Sequence, residues 1–408
     1  PKDDATMIQR RFPALIAGLL ALLLAACGSN DDVQQVADPL PATPGVWAKL
    51  VPKATQLDGQ LVTPTCSKAP GSKADFHFWA RRGTVNKLVV FFEGGGACWD
   101  NATCSFPIVA TTAAGVPALY KAEILPSDDP TVLGGIFKSD DARNPVKDWT
   151  QVYVPYCTGD IHGGSKTTSY TNVVSGQTFQ IEHRGADNFR LILEWMKQNV
   201  TPDQVLVTGS SAGAYGAVTH FPRVRAAWPA ATAAMLGDAG QGVVAATFDV
   251  ARNANWNFQL DSGVYGPNPQ SVPSGELVRK LVAKFPGDRF AQYTTATDLV
   301  QIQFYDIMAN GLSGTQGTAC TAWTSGMLAG LADNQKASNF RSYMAAGTSH
   351  TLLRGNSQGA AGVPLFFEES SAGVAFTSWM ASLVSASGSG WDNKACTNCT
   401  ILPMACPF

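Results

Sequence analysis

Apolar residues along this chain gather in short runs bounded by glycine, proline and polar turn residues. Lys87–Phe92, Trp149–Tyr156, Gln204–Val207, Ala231–Leu236, Phe290–Ala296 and Asn339–Ala346 are such runs, several rich in β-branched or aromatic residues. They are too short for helices, and little alternation breaks them, which is the pattern of strands buried on both faces. Between Arg184 and Val200 the period changes. Phe189, Ile192, Leu193, Met196 and Val200 recur at helical spacing, and Thr201-Pro202 ends the segment. Strands alternating with helices predict an α/β fold, with a mostly parallel central sheet and helices on both faces. Two stretches break the alternation, near residues 100–146 and 243–289. The first holds prolines and paired acids (Asp128-Asp129, Asp140-Asp141). The second has weak periodicity and the aromatics Phe248, Trp256, Phe258 and Tyr265. It is expected to lie over the carboxyl edge of the sheet as a cap or pocket wall.

The N-terminal region departs from this pattern. Arg10-Arg11 precede an apolar stretch, Phe12–Ala26, too short to span a bilayer comfortably. It closes on Leu24-Ala25-Ala26-Cys27-Gly28, which resembles the lipobox of bacterial lipoproteins. On this reading residues 1–27 are a signal peptide, with 1–6 upstream of a better start at Met7, and Cys27 carries the lipid. Gly28 directs the expectation to the outer membrane or cell surface. Residues 28–47, polar and dotted with proline, form a tether, and 48–408 form one folded domain. Lipidation of Cys27 leaves eight of the nine cysteines in an exported, oxidising setting where disulfides form. Cys98 and Cys104 flank one short loop and are expected to pair. Cys396-x-x-Cys399 lacks a second Cys/His pair at ligand spacing, so no metal site is expected.

Composition adds little. The chain has 408 residues, 45% hydrophobic and 15% charged, with a net charge of -2. That is ordinary globular material, and it gives no electrostatic reason to expect nucleic acid or an anionic membrane surface as partner.

The chemistry concentrates in Gln204–Ala217, QVLVTGSSAGAYGA. A strand runs into Gly209-Ser210-Ser211-Ala212-Gly213, a G-x-S-x-G turn with Ser211 at its centre, and then into a helix-compatible stretch. Strand, tight turn and helix are the setting of a nucleophile elbow, which presents a serine hydroxyl at a helix N-terminus. A serine nucleophile needs a base, and the base needs an orienting acid. Of five histidines, only His220 and His350 follow Ser211. His220 lies at the far end of the elbow's own helix, which leaves His350, after a strand, as the base. Asp298 and Asp238 both follow strands between Ser211 and His350. Asp298, after the second strand beyond the elbow, stands in the commoner place for the acid. Asp238 is kept as the alternative, a residue under the elbow loop if not the acid, and Asp306 is a third choice. Gly94-Gly95-Gly96 follows the strand Lys87–Phe92. Such a loop lets N–H groups face a ligand, and it lacks the G-K-[ST] ending of a phosphate loop. The N–H groups of Gly95, Gly96 and Ala212 are the expected oxyanion donors. No cofactor is required.

The motifs FFEGGGACW, VYVPYCTGD, HRGADNF, VTGSSAGAYG and LGDAG occur in this order between Val85 and His350. Together they resemble the pectin acetylesterase family of serine carboxylesterases. The resemblance implies an α/β-hydrolase fold, with Ser211 as nucleophile, Asp298 as acid, His350 as base and Gly95, Gly96 and Ala212 as oxyanion donors. It also implies the bridges Cys98–Cys104 and Cys66–Cys157. Two positions depart from the family pattern: Ser210 stands where cysteine is frequent, and Gly96 where tryptophan is. The implied reaction is hydrolysis of carboxylic esters through an acyl-enzyme, with O-acetyl groups on a polysaccharide such as pectin as first expectation. A lipase, lipid deacylase or polyester depolymerase is the alternative, suited to a pocket lined by the Phe248–Tyr265 aromatics. A non-catalytic surface binding lipoprotein is the remaining class, and it would fit a chain that lacked a triad member.

Overall fold

The computed structural model describes residues 38–313, 317–355 and 366–396. The expected signal peptide, Cys27, the first half of the expected tether (28–37), Cys399 and Cys406 lie outside the described residues. Eight strands form the central sheet: β1 (Trp47–Leu50), β2 (Phe78–Arg81), β3 (Val85–Phe92), β4 (Trp149–Val154), β5 (Gln204–Ser210), β6 (Thr232–Asp238), β7 (Arg289–Thr295) and β8 (Phe340–Ala345). Their spatial order is β1-β2-β4-β3-β5-β6-β7-β8, and only the pairings of β2 are antiparallel. The strands expected from the apolar runs are all present, displaced by one to three residues at their ends.

Strand geometry explains how one run serves two cores, because successive side chains point to opposite faces. Leu88, Val90 and Phe92 of β3 enter one apolar cluster, while Val89 and Phe91 enter the other. The first cluster is covered by α1 (Gly185–Asn199) and α2 (Ala212–Ala227). Phe189, Ile192 and Met196 of α1 and Phe221 and Val224 of α2 are buried there. After α3 (Ala246–Trp256) comes α4 (Leu277–Lys284), then α5 (Leu299–Asn310) and α6 (Gly317–Asn334). The last helix, α7 (Phe376–Val384), buries Phe376, Trp379, Met380 and Leu383 in the second cluster. Both faces therefore carry helices, as the patterning predicts.

Three boundaries differ from expectation. Residues 38–47, assigned to the tether, lie on the folded body. Leu40 is buried, its N–H donates to Asn199 (3.0 Å), and Arg82 donates to the Pro41 carbonyl (2.7 Å). Leu40 stands between two prolines, apart from the other apolar residues of this segment, and carries too little periodicity to announce this. The insertion 243–289 is not all cap. Leu277, Val278, Leu281 and Val282 form the buried stripe of α4, which packs against α2 in the main layer. Finally, Lys394 joins the edge of β8, donating to Ser342 O and accepting from Met344 N (each 2.8 Å), so the tail begins as an added strand bridge.

Two disulfides close the expected pairs, Cys66–Cys157 and Cys98–Cys104. Among the described residues, no helix is long and apolar enough to cross a membrane.

Candidate active site

The site is built where β5 stops. Ser211 follows the strand with φ 58° and ψ -123°, a left-handed backbone that a side-chain-bearing residue adopts only under constraint. Close packing supplies it. A Cβ on Gly213 would lie 2.0 Å from the Phe92 carbonyl oxygen, so the helix can start here only as glycine. The Ser211 N–H donates to Asp238 O (2.7 Å), fixing the turn to the end of β6. Ala212 opens α2, and N–H groups of a helix's first turn have no partner within the helix. The elbow thus offers a serine hydroxyl beside unused backbone donors.

The glycine loop after β3 comes directly against this turn. A Cβ on Gly94 would sit 2.8 Å from Ser211 Cβ, and one on Gly96 would sit 1.9 Å from Leu119 O. Gly95 and Gly96 have φ of 159° and 71°. The loop is held as a short ladder: Lys121 N donates to Gly95 O (2.8 Å) and Ala97 N to Leu119 O (3.2 Å).

His350 follows β8, and its Nδ1 donates to Asp298 Oδ2 (2.9 Å) and Oδ1 (3.0 Å). Asp298 is the N-cap of α5. Its Oδ1 accepts from Val300 N (3.1 Å) and Gln301 N (3.0 Å), and its Oδ2 accepts from Gln301 Nε2 (3.0 Å). A carboxylate with this many donors is fully buried and firmly placed. With the Nδ1 proton engaged, the lone pair is on Nε2, which is buried and has no hydrogen-bond partner among the described residues. Burial lowers the His350 pKa, but the charge and hydrogen bond of Asp298, with the charge of Asp238, outweigh it and the net shift is upward.

Asp238 does something else. Its Oδ2 accepts from Ser210 Oγ (2.6 Å) and from the N–H groups of Leu352 and Leu353 (each 2.9 Å). It ties the elbow to the segment after His350 and makes no hydrogen bond to the imidazole among the described residues. Burial raises its pKa. Asp306 accepts from Asn310 (2.6 Å) on its own helix and is not brought to the site. The other four histidines are placed elsewhere: His220 on His162 O (2.7 Å), His162 on Glu93 O (2.7 Å), His183 on Thr158 O (2.9 Å) and His77 edge-on to Trp79.

Ser211, Ala212, Gly96 and His350 line one pocket. Gly95 is not in its wall; it faces the Lys121 stem and Tyr156, and Ala97 takes the next place. The remaining wall is mostly apolar, with Gln301, Tyr215 and Tyr305 as its polar members, and among the described residues it has no Lys, Arg, Asp or Glu side chain. Only Phe248 of the four aromatics expected in the pocket is there, since Trp256, Phe258 and Tyr265 are core residues. Phe304, Tyr305 and Met308 of α5 complete the wall instead. Their i, i+1, i+4 spacing after Asp298 is the signal that sequence reading passed over. Ile161 also enters the wall, from a corner in which Ile161 and His162 both have positive φ (47° and 63°). Buried Asp160 braces that corner, accepting from His162 N (3.1 Å), Gly164 N (3.1 Å) and Gly185 N (2.8 Å).

The sequence profile of the family described as Pectinacetylesterase matches residues 61–267, just over half of the chain. The chain belongs to this family. The matched segment carries the glycine loop and the elbow, while Asp298 and His350 lie beyond it. Palmitoleoyl-protein carboxylesterase NOTUM of Schmidtea mediterranea is 28% identical over 152 residues, 36% of this chain and 27% of that protein. Pectin acetylesterase 11 of Arabidopsis thaliana is 28% identical over 177 residues, 42% of this chain and 41% of the plant protein. The matches thus span well under half the length of these relatives. The solved structure of the Wnt deacylase Notum from Drosophila aligns with TM-score 0.55 at 18% identity, covering 82% of this chain and 94% of that one. This chain shares that α/β-hydrolase fold, here built on a mixed eight-stranded sheet.

Proposed function

We propose that this pectinacetylesterase-family member is a serine carboxylesterase using Ser211, His350 and Asp298. The observation that carries the proposal is the Asp298–His350 pair, with a bare Nε2, on the same pocket as a serine held at positive φ. His350 Nε2 takes the Ser211 hydroxyl proton as Oγ attacks the acyl carbon. The ester carbonyl oxygen becomes an oxyanion, met by N–H groups of Ala212 and the Gly95–Gly96 loop. Collapse expels the alcohol, which receives the proton from Nε2, and water repeats the sequence on the acyl-enzyme. Asp298 keeps the proton on Nδ1 and offsets the charge of the imidazolium.

For the acyl group we propose a hydrophobic chain longer than acetyl. Val243, Val244, Phe248, Val300, Phe304 and Met308 supply far more apolar wall than a methyl group can contact. Among the described residues, no cationic side chain stands in the wall to hold a galacturonate carboxylate. O-acetyl groups on a polysaccharide are the second reading, favoured by the likeness to plant proteins named pectin acetylesterases. p-Nitrophenyl esters from acetate to hexadecanoate, run beside acetylated pectin, separate the two. The proposal expects kcat/KM to rise beyond acetate; a maximum at acetate with release from pectin would favour the polysaccharide. We also propose action outside the cytoplasm on a lipid tether at Cys27, a reading supported by the two disulfides.

A further inference from the structure

Directly behind the glycine loop lies a buried cluster of four charged side chains from separate parts of the chain. Glu93 immediately precedes Gly94 and is inaccessible to solvent. Its Oε1 accepts from Lys121 Nζ (2.6 Å) and pairs with Arg354 (2.9 Å), and its Oε2 accepts from Tyr156 N (3.0 Å). Lys121 Nζ also contacts Asp128 Oδ1, and Asp128 Oδ2 accepts from Leu125 N (2.8 Å). Two acids and two bases balance, which is the condition for keeping charges out of water.

The position of each member matters more than the balance. Lys121 makes the main-chain bond to Gly95 O, and its stem fills the space where a Gly95 side chain would go, 2.6 Å from the ideal Cβ. Arg354 stands four residues after His350, on the segment that Asp238 grips through Leu352 and Leu353. Arg354 O and Leu353 O accept from Gly134 N (3.0 Å) and Ile136 N (2.8 Å), so this segment is also pinned from its far side. The cluster therefore joins the glycine loop to the segment carrying the base.

We propose that Glu93, Lys121, Asp128 and Arg354 are positioning residues for ester hydrolysis, setting the glycine-loop donors in register with His350 and Ser211. This rests on the serine-esterase reading above. None of the four touches the reacting atoms; they act through Gly95, Gly96 and the base segment. The oxyanion exists only on the way to and from the tetrahedral intermediate, so misplaced donors lower kcat and leave substrate binding nearly intact. A single lost donor costs about 10²- to 10³-fold, and a shifted one less.

The test compares Arg354→Gln, Arg354→Lys and Glu93→Gln in the full chain with a soluble p-nitrophenyl ester. Active sites are counted by a fluorophosphonate that labels the catalytic serine, and melting curves accompany the rates. Per active site, Arg354→Gln is expected to lose about 10- to 100-fold in kcat with KM within about twofold. Arg354→Lys is expected to recover most of that loss. A boronic acid, whose tetrahedral adduct needs the same donors, is expected to weaken in parallel with kcat. Glu93→Gln is expected to behave as Arg354→Gln if it folds. Should it unfold, the arginine pair, on a side chain at the edge of the cluster, still decides. An unchanged kcat per active site in folded Arg354→Gln overturns the proposal, as does a loss carried entirely by KM or by the count of active sites. Failure of the esterase reading itself is distinct, because Ser211→Ala would then keep the wild-type rate.

Discussion

Under the proposed mechanism, two adjacent serines divide into nucleophile and support. Ser210 gives its hydroxyl to Asp238 (2.6 Å), whereas Ser211 faces the pocket. Ser211→Ala is expected to lose about 10⁴- to 10⁶-fold in kcat, and Ser210→Ala far less. Equal losses would put the register of the elbow wrong. The acids divide in the same way. Asp298→Asn keeps the shape but no longer selects the Nδ1–H tautomer, so about 10⁴-fold in kcat is expected to go. Asp238→Asn is expected to act chiefly on stability, because three donors converge on one buried oxygen. Melting curves beside rates test this, and a well-folded but dead Asp238→Asn would contradict it. The sequence made the serine, the histidine and both acids legible, because chain order and strand ends constrain them. It favoured Asp298 over Asp238 only by its place in the chain, since what separates the two acids is a distance of 2.9 Å between residues 52 apart. Glu93 and Arg354 were illegible for the same reason: nothing local to either announces the other.

At the scale of elements, the strands and α1 were legible because burial on two faces or one leaves a strong period. The helices after Asp298 were not read. α5 carries little one-sided character, since it presents apolar side chains to the pocket as well as to the core. That double use makes α5 the element to alter. Phe304→Ala is expected to lower kcat/KM for long-chain esters by about tenfold while changing butyrate by less than threefold, since each methylene lost from contact is worth about 0.8 kcal/mol. Equal effects on both chain lengths would remove α5 from acyl recognition. In the glycine loop, Gly95→Val is expected to drop kcat. A branched side chain there meets Lys121 and Tyr156 at 2.6 Å and must push the loop off its ladder. A folded Gly95→Val protein with unchanged kcat would place the oxyanion site elsewhere.

Across the whole molecule, protonation links the site to its supports. His350 must be neutral to accept a proton, and its pKa is raised, so kcat/KM is expected to climb with pH through an inflection above 6.5. Asp298→Asn removes the largest upward influence and is expected to move that inflection down; no movement would mean that another group sets it. The charge cluster acts on stability with two opposite signs. Burial works against the Glu93 anion, but Lys121 and Arg354 prevail and hold it at about 2, so its contribution is full above 4.5 and fades toward pH 2. Asp128 is raised to about 7, first by burial and then by Glu93, so its ionisation costs stability as pH climbs from about 4 to 7. Relative to wild type, Asp128→Asn is expected to flatten the fall in Tm between pH 5 and 8, with Lys121, Arg354 and Tyr153 as the other groups facing this carboxyl. The Cys66–Cys157 bridge spans 91 residues and ends beside Tyr156 of the same region. Its loss is expected to cost about 2–5 kcal/mol in denaturant titrations. The most direct measurement of the central claim is peptide mapping after reaction with a fluorophosphonate, in wild type and His350→Gln. A single adduct on Ser211, nearly absent in the folded His350 variant, is the predicted result. An adduct on another serine, or equally fast labelling of Ser211 without His350, would contradict it.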